Sequence, residues 1–117
     1  MHPKLTIRLF TDQKCFGPGI ATLMHRVEEH RSLRAAAMSM DMAYSKAWSI
    51  MKNAEAGFGF KLIHSTTGGR GGGGAVLTQE GEALLAAYDS YVDALSQQAE
   101  KLFPLHFSPF LSDKEKT

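Results

Sequence analysis

Six glycines occupy the seven positions from Gly68 to Gly74, with only Arg70 between them. A helix cannot persist through such a run, because each glycine costs about 1 kcal/mol relative to alanine in a helix interior. A strand interior gains nothing from it either, since there is no side chain to pack. The run is therefore a connection, and what flanks it decides its kind. Lys61-Leu62-Ile63-His64-Ser65 precedes it and Ala75-Val76-Leu77 follows it, both of strand length and apolar in part. The spacing predicts a hairpin with a mobile tip, whose ordering would cost entropy unless a partner offsets it. Gly69 to Gly74 also satisfies G-x-G-x-x-G, but the dinucleotide fingerprint requires a helix to leave the glycine turn, and here a strand-like segment leaves it. A P-loop fails for want of a closing Gly-Lys-Ser/Thr. An enzyme built on a nucleotide cofactor would rest on this motif alone.

The rest of the chain is mostly helical in pattern. Leu5, Ile7 and Leu9 alternate with Thr6, Arg8 and Phe10, the period of a short edge strand. Gly17-Pro18-Gly19 breaks the chain, and Ile20, Leu23, Met24 and Val27 follow at helical spacing, predicting a helix to about His30. Ser32 is placed to cap a second, alanine-rich helix from Leu33 to Met40, whose Ala35-Ala36-Ala37 lets another helix come close. After Asp41-Met42 a third helix begins near Ala43 and buries Ala47, Ile50, Met51 and Ala54. Its other side carries Tyr44, Ser45, Lys46, Ser49, Lys52 and Asn53, donors and cations without an acid. Such a face suits either plain solvent exposure or entry into a DNA groove. Thr78 caps a long last helix, where Leu84, Tyr88, Tyr91, Leu95 and Leu102 recur at alternating spacings of four and three, with Gln98 at the missing seam position and Val92 and Ala99 widening the stripe.

Charge separates along the chain although the net is only +1. Ala43 to Ala75 holds Lys46, Lys52, Lys61 and Arg70 against Glu55, whereas Thr78 to Lys101 holds five carboxylates against Lys101. A basic middle and an acidic flank fit an anion-facing surface and a solvent- or protein-facing one; ordinary solvated helices fit as well. The single Cys15 excludes an internal disulfide, and the five histidines form no metal-binding pair at helical spacing. No catalytic constellation emerges, so the chain is not expected to be an enzyme or to hold a metal or cofactor. The opening residues do not read as a signal peptide, no apolar run is long enough to span a membrane, and a cytoplasmic location is expected. Trp48, the only tryptophan, is expected in the core, wedged between helices.

Strand, helix, helix-turn-helix, glycine-tipped hairpin and long helix together make a mainly α fold with a small β-hairpin, a winged helix-turn-helix with an appended dimerisation helix. At Ala43-Tyr44-Ser45-Lys46-Ala47-Trp48, then Thr67-Gly68-Gly69-Arg70-Gly71-Gly72-Gly73-Gly74-Ala75-Val76-Leu77-Thr78, then Gly81, the sequence resembles the N-terminal DNA-binding domain of the ModE family of molybdate-responsive repressors. That domain is similar in turn to LysR-type winged helices. The resemblance runs from about Leu5 to Leu102, and its glycine segment is far more specific than its helix-turn-helix. The DNA-binding domain, long helix included, is expected in residues 1–103, and beyond Phe103-Pro104 the Pro-, Ser- and Lys-containing residues 104–117 are expected to form a flexible tail.

The resemblance implies a transcriptional regulator, a repressor, binding double-stranded DNA as a homodimer. The helix Ala43 to Ala56 would lie in a major groove and the hairpin Lys61 to Leu77 would be the wing. Tyr44, Ser45, Lys46 and Ser49 are then expected at base edges, Lys46, Lys52, Lys61 and Arg70 at phosphates, Ser32 and Arg34 at the backbone, and Thr66 and Thr67 on the wing. Leu84, Tyr88, Tyr91, Leu95 and Leu102 are the expected dimer seam. In the family the molybdate sites lie in separate C-terminal domains, so none is expected within these residues. The family also favours Gly in the turn and Ser as the cap where this chain has Asp41 and Ala43, and a small polar residue where it has Arg34. Asp41 is expected to tolerate the turn and to supply the missing cap oxygen. The competing reading is a protein-interaction module that has lost operator recognition and pairs through its acidic helix.

Overall fold

The computed structural model describes residues 1–66 and 74–112. In chain order its elements are β1 (Leu9–Phe10), β2 (Lys14–Phe16), α1 (Pro18–His30), α2 (Leu33–Ser39), α3 (Tyr44–Phe58), β3 (Ile63–Thr66), β4 (Gly74–Leu77), α4 (Gln79–Phe107) and a closing 3-10 turn, Ser108–Phe110. β1 pairs with β2 and β3 with β4, both antiparallel. This is the mainly helical class with a hairpin between the third and last helices.

The helix ends follow local chemistry. Gly17 precedes α1 with Pro18 inside its first turn, and Arg31 ends it at a φ of 54°. The Ser32 hydroxyl accepts the Ala35 N–H at 3.0 Å and so caps α2. Ala36 and Ala37 are fully buried, which lets α2 pack between α1 and α3. Asp41 takes the left-handed conformation that the turn into α3 requires, with φ 52°. It does not serve as the cap, however: Ala43 is the N-cap, and no side chain bonds the first turn of α3.

The core gathers around Phe16, Leu23, Met24, Val27, Met51 and Leu62. The Phe16 ring meets Tyr88 edge-on at 5.0 Å and Phe58 at 5.9 Å. Tyr88 also donates its hydroxyl to the Ile7 carbonyl at 2.6 Å. That bond explains why the expected strand from Leu5 to Phe10 contracts to Leu9–Phe10. The preceding residues are tied to α4 by a side chain instead of a ladder, and β1 pairs only with β2.

α4 is set by its first turn. Thr78 accepts the Gly81 N–H at 2.9 Å and donates its hydroxyl to the Lys61 carbonyl at 2.6 Å. Gly81 lies against the Leu62 backbone, and a Cβ there would overlap the Leu62 carbonyl oxygen. Gly81, Leu85 and Tyr88 are the buried residues of α4, and His25 on α1 adds a bond of 2.7 Å to Asp89. Val92 still packs against the core, and beyond it the helix leaves the body. It does not end at Phe103, since Pro104 is taken into the helix, which continues to Phe107. Proline removes a donor to the carbonyl four residues back, and that residue, Glu100, is exposed and open to water. Phe103 stacks on Phe107 at 4.9 Å, Phe107 meets Phe110, and Leu111 is buried. Residues 104 to 110 are thus helix and turn where a flexible tail is expected from sequence; residues 113–117 lie outside the described residues.

Candidate nucleic-acid interface

α3 divides cleanly into two sides. Ala47, Met51, Ala54 and Glu55 are buried, and Tyr44, Ser45, Lys46, Trp48, Ser49 and Asn53 are exposed. Trp48 corrects the sequence expectation: it is not in the core but 49% exposed. The reason lies in its neighbour. Ala47 occupies the tight contact on the buried side, and one residue of helical advance turns the larger indole about 100° away from it.

The α2 start, α3 and the β3–β4 hairpin enclose a cleft of about 380 Å³. Ser32, Arg34, Tyr44, Lys52 and Lys61 line it, five of the residues singled out from sequence, and Trp48, His64 and Ser65 join them. Ser45, Lys46 and Ser49 stand exposed on α3 outside that lining, and Thr66 is exposed at the end of β3. Thr67, Arg70 and the expected mobile tip lie outside the described residues. The chain passes from the glycine segment into a strand, β4, which removes the structural context of the dinucleotide motif.

Several of these side chains are already positioned. The Arg34 guanidinium sits 4.3 Å from the Tyr44 ring centroid, joining α2 to α3 across the turn by a cation–π contact. Lys52 lies 5.5 Å from the Trp48 ring centroid and 3.3 Å from the Glu55 carboxylate. Part of its charge is therefore used within the domain. Ser32 spends its acceptor on the cap of α2 and keeps its O–H for another partner.

Glu55 is the residue that sequence reasoning passes over, counting it only as the one acid in a basic stretch. It is the buried charged side chain among the described residues, 8% exposed. Its carboxylate accepts the Leu62 N–H at 2.8 Å and the Ile63 N–H at 3.4 Å, fixing the foot of β3 to α3. Lys52 balances its charge, so the cleft keeps Arg34 and Lys61 without an exposed carboxylate to oppose them. The foot of β4 is held separately, by the Ala75 N–H donating to the Arg31 carbonyl at 3.0 Å. A Cβ on Gly74 would stand 2.9 Å from that same Arg31 oxygen, so this position requires glycine.

Tyr88 marks the limit of the expected seam. Its ring is spent on the core, and it titrates above its ordinary value of 10.0 because burial disfavours the phenolate and Asp89 repels it, against an opposing pull from Arg8. Leu84 is half-buried and packs against the core, Leu95 is half-buried, and Tyr91 and Leu102 are exposed, at 53% and 49%.

Comparison with known proteins agrees with this geometry. Residues 21–82, from α1 into the first turn of α4, match the model of the bacterial regulatory helix-turn-helix proteins of the lysR family. The chain is 31% identical over 104 residues to the DNA-binding transcriptional dual regulator ModE of Escherichia coli K12, an alignment covering 88% of this chain and 38% of that protein. It is 34% identical over 86 residues to the transcriptional regulator ModE of Yersinia pestis, covering 74% of this chain and 31% of the relative. With the molybdenum-pterin-binding protein MopB of Rhodobacter capsulatus it shares 39% identity over 57 residues, 49% of this chain and 21% of that one. The chain thus spans well under half the length of these relatives.

Proposed function

The chain belongs to the lysR family of bacterial regulatory helix-turn-helix proteins, and from that premise we propose that it is a DNA-binding transcriptional regulator acting as a homodimer. The observation that carries the reading is the cleft in which α2, α3 and the hairpin converge with cations outward and their one nearby acid buried. α3 enters a major groove, with Tyr44, Ser45, Lys46 and Ser49 at base edges. Lys46, Lys61 and Arg70 neutralise phosphates, Lys52 does so less because Glu55 holds it, and Ser32 and Arg34 contact the backbone. The hairpin, with Thr66 and Thr67, is the wing on the adjacent groove. Repression is the sign we assign, since occupancy of a promoter by itself obstructs polymerase.

Dimerisation runs along the part of α4 that leaves the body, through Tyr91, Leu95 and Leu102, with Leu84 at its near end. Tyr88 supports that helix from the core side rather than joining the seam. No molybdate site is assigned to these residues. The experiment is selection of duplexes from a random DNA pool, followed by footprinting. Two related half-sites about 10 base pairs apart, or a multiple, are expected from two-fold symmetry. Recovery of no enriched sequence, with no retention of duplex at low salt, overturns the reading in favour of a protein-interaction module.

A further inference from the structure

We propose that Trp48 reads thymine, pressing its indole edge on the C5-methyl group and donating its N–H to the neighbouring O4; this rests on the placement of α3 in a major groove. A half-exposed tryptophan is an unusual occupant of a cationic helix face, because an aromatic ring of that size gains most from burial. Its indole N–H has no hydrogen-bond partner among the described residues, and the Lys52 ammonium lies over the ring, 5.5 Å from its centroid. Lys52 shields one face of the ring and leaves the rim.

Helical spacing then fixes where that rim points. Trp48 lies one turn beyond Tyr44 and one turn before Lys52, between the residues proposed to meet base edges and the cleft toward the hairpin. A helix in the major groove meets edges of base pairs, not their faces, so stacking on a base is not available to it. Of the groups displayed there, thymine alone offers an apolar methyl beside a hydrogen-bond acceptor. An indole offers an apolar rim beside a single donor. The two patterns match, and neither Lys46 nor Ser49 can supply the apolar half.

Because Trp48 is the only tryptophan of the chain, its emission reports directly on engagement. The probe is a duplex selected by the protein from the random pool, compared with the same duplex carrying deoxyuridine at every thymine, which removes the methyl and keeps O4, pairing and charge. The wild-type chain is expected to lose about four-fold in affinity for each methyl in contact, from the transfer energy of one such group. Its tryptophan emission shifts on the thymine duplex and less on the uracil duplex. Trp48→Ala binds both duplexes equally, with the wild-type salt slope, and Trp48→Phe keeps part of the thymine preference. Circular dichroism of both variants establishes that α3 is retained. A uracil penalty equal in wild type and Trp48→Ala, or no penalty at all, or unchanged emission, overturns the assignment while leaving DNA binding intact. Failure to select any duplex sinks the earlier reading instead.

Discussion

α3 and α4 both turn a broad face to solvent, and they do so in opposite ways. α3 turns Tyr44, Ser45, Lys46 and Ser49 outward, groups that water or a polyanion satisfies equally well. α4 is docked through Gly81, Leu84, Leu85, Tyr88, Asp89 and Val92, and elsewhere it carries Tyr91, Leu102 and Leu105 in solvent, the last 76% exposed. Hydration costs the polar groups of the first surface nothing and costs the second about 25 cal/mol for each Å² of apolar area, a cost that the half-exposed Trp48 also brings to the outer side of α3. Exposure on its own says little; its chemistry says what sort of partner would relieve it. A polar face awaits an ionic ligand, and an apolar stripe awaits another apolar stripe.

The sharpest way to break this contrast is to charge the α4 stripe. Leu95→Glu would place a carboxylate twice in the proposed two-fold seam and remove two leucines that the seam would bury, about 3–6 kcal/mol per dimer, so sedimentation should show monomers whose circular dichroism is unchanged. A variant that stays dimeric moves the interface elsewhere. Next comes the docked end of the same helix. Gly81→Ala drives a Cβ into the Leu62 carbonyl and is expected to destabilise the fold by about 2–4 kcal/mol in urea titration. An unchanged midpoint would mean that α4 is not seated on the hairpin base.

On the α3 side the effects are smaller and show in salt dependence. Lys46→Ala should lower the slope of log K against log salt by about one, the counterion of one phosphate. Lys52→Ala should lower it less, because Glu55 already shares that charge, and equal slopes would contradict the difference between the two lysines. The smallest change is Tyr88→Phe, which loses the bond to the Ile7 carbonyl, a net of about 1 kcal/mol. It also tests linkage. The folded Tyr88 titrates above 10.0, so its contribution is complete below the unfolded value and declines as pH climbs through the folded one. Wild-type stability should therefore fall more steeply than that of Tyr88→Phe above about pH 10.

What the sequence made legible follows from how local each cause is. Ser32 and Thr78 cap their helices as expected, and the hairpin arms flank the glycines, because caps and strand breaks are decided within a few residues. Trp48 was misplaced because hydrophobicity is a property of the residue, whereas burial depends on which helical neighbour takes the close contact, here Ala47. Tyr88 fitted a seven-residue repeat and belongs to the core, since the repeat marks one stripe and cannot tell an internal partner from an external one. Glu55 was invisible as a structural group because its partners, Leu62 and Ile63, lie in another element. A tail is expected from residue 104 onward, but an exposed carbonyl near a helix end lets the helix continue through Pro104.

The two feet of the hairpin are anchored independently, β3 by the Glu55 carboxylate and β4 by the Arg31 carbonyl. Whatever joins them starts and finishes at fixed coordinates. Because the anchors belong to different elements, α3 for one strand and the α1–α2 junction for the other, a substitution that frees one foot leaves the other in place.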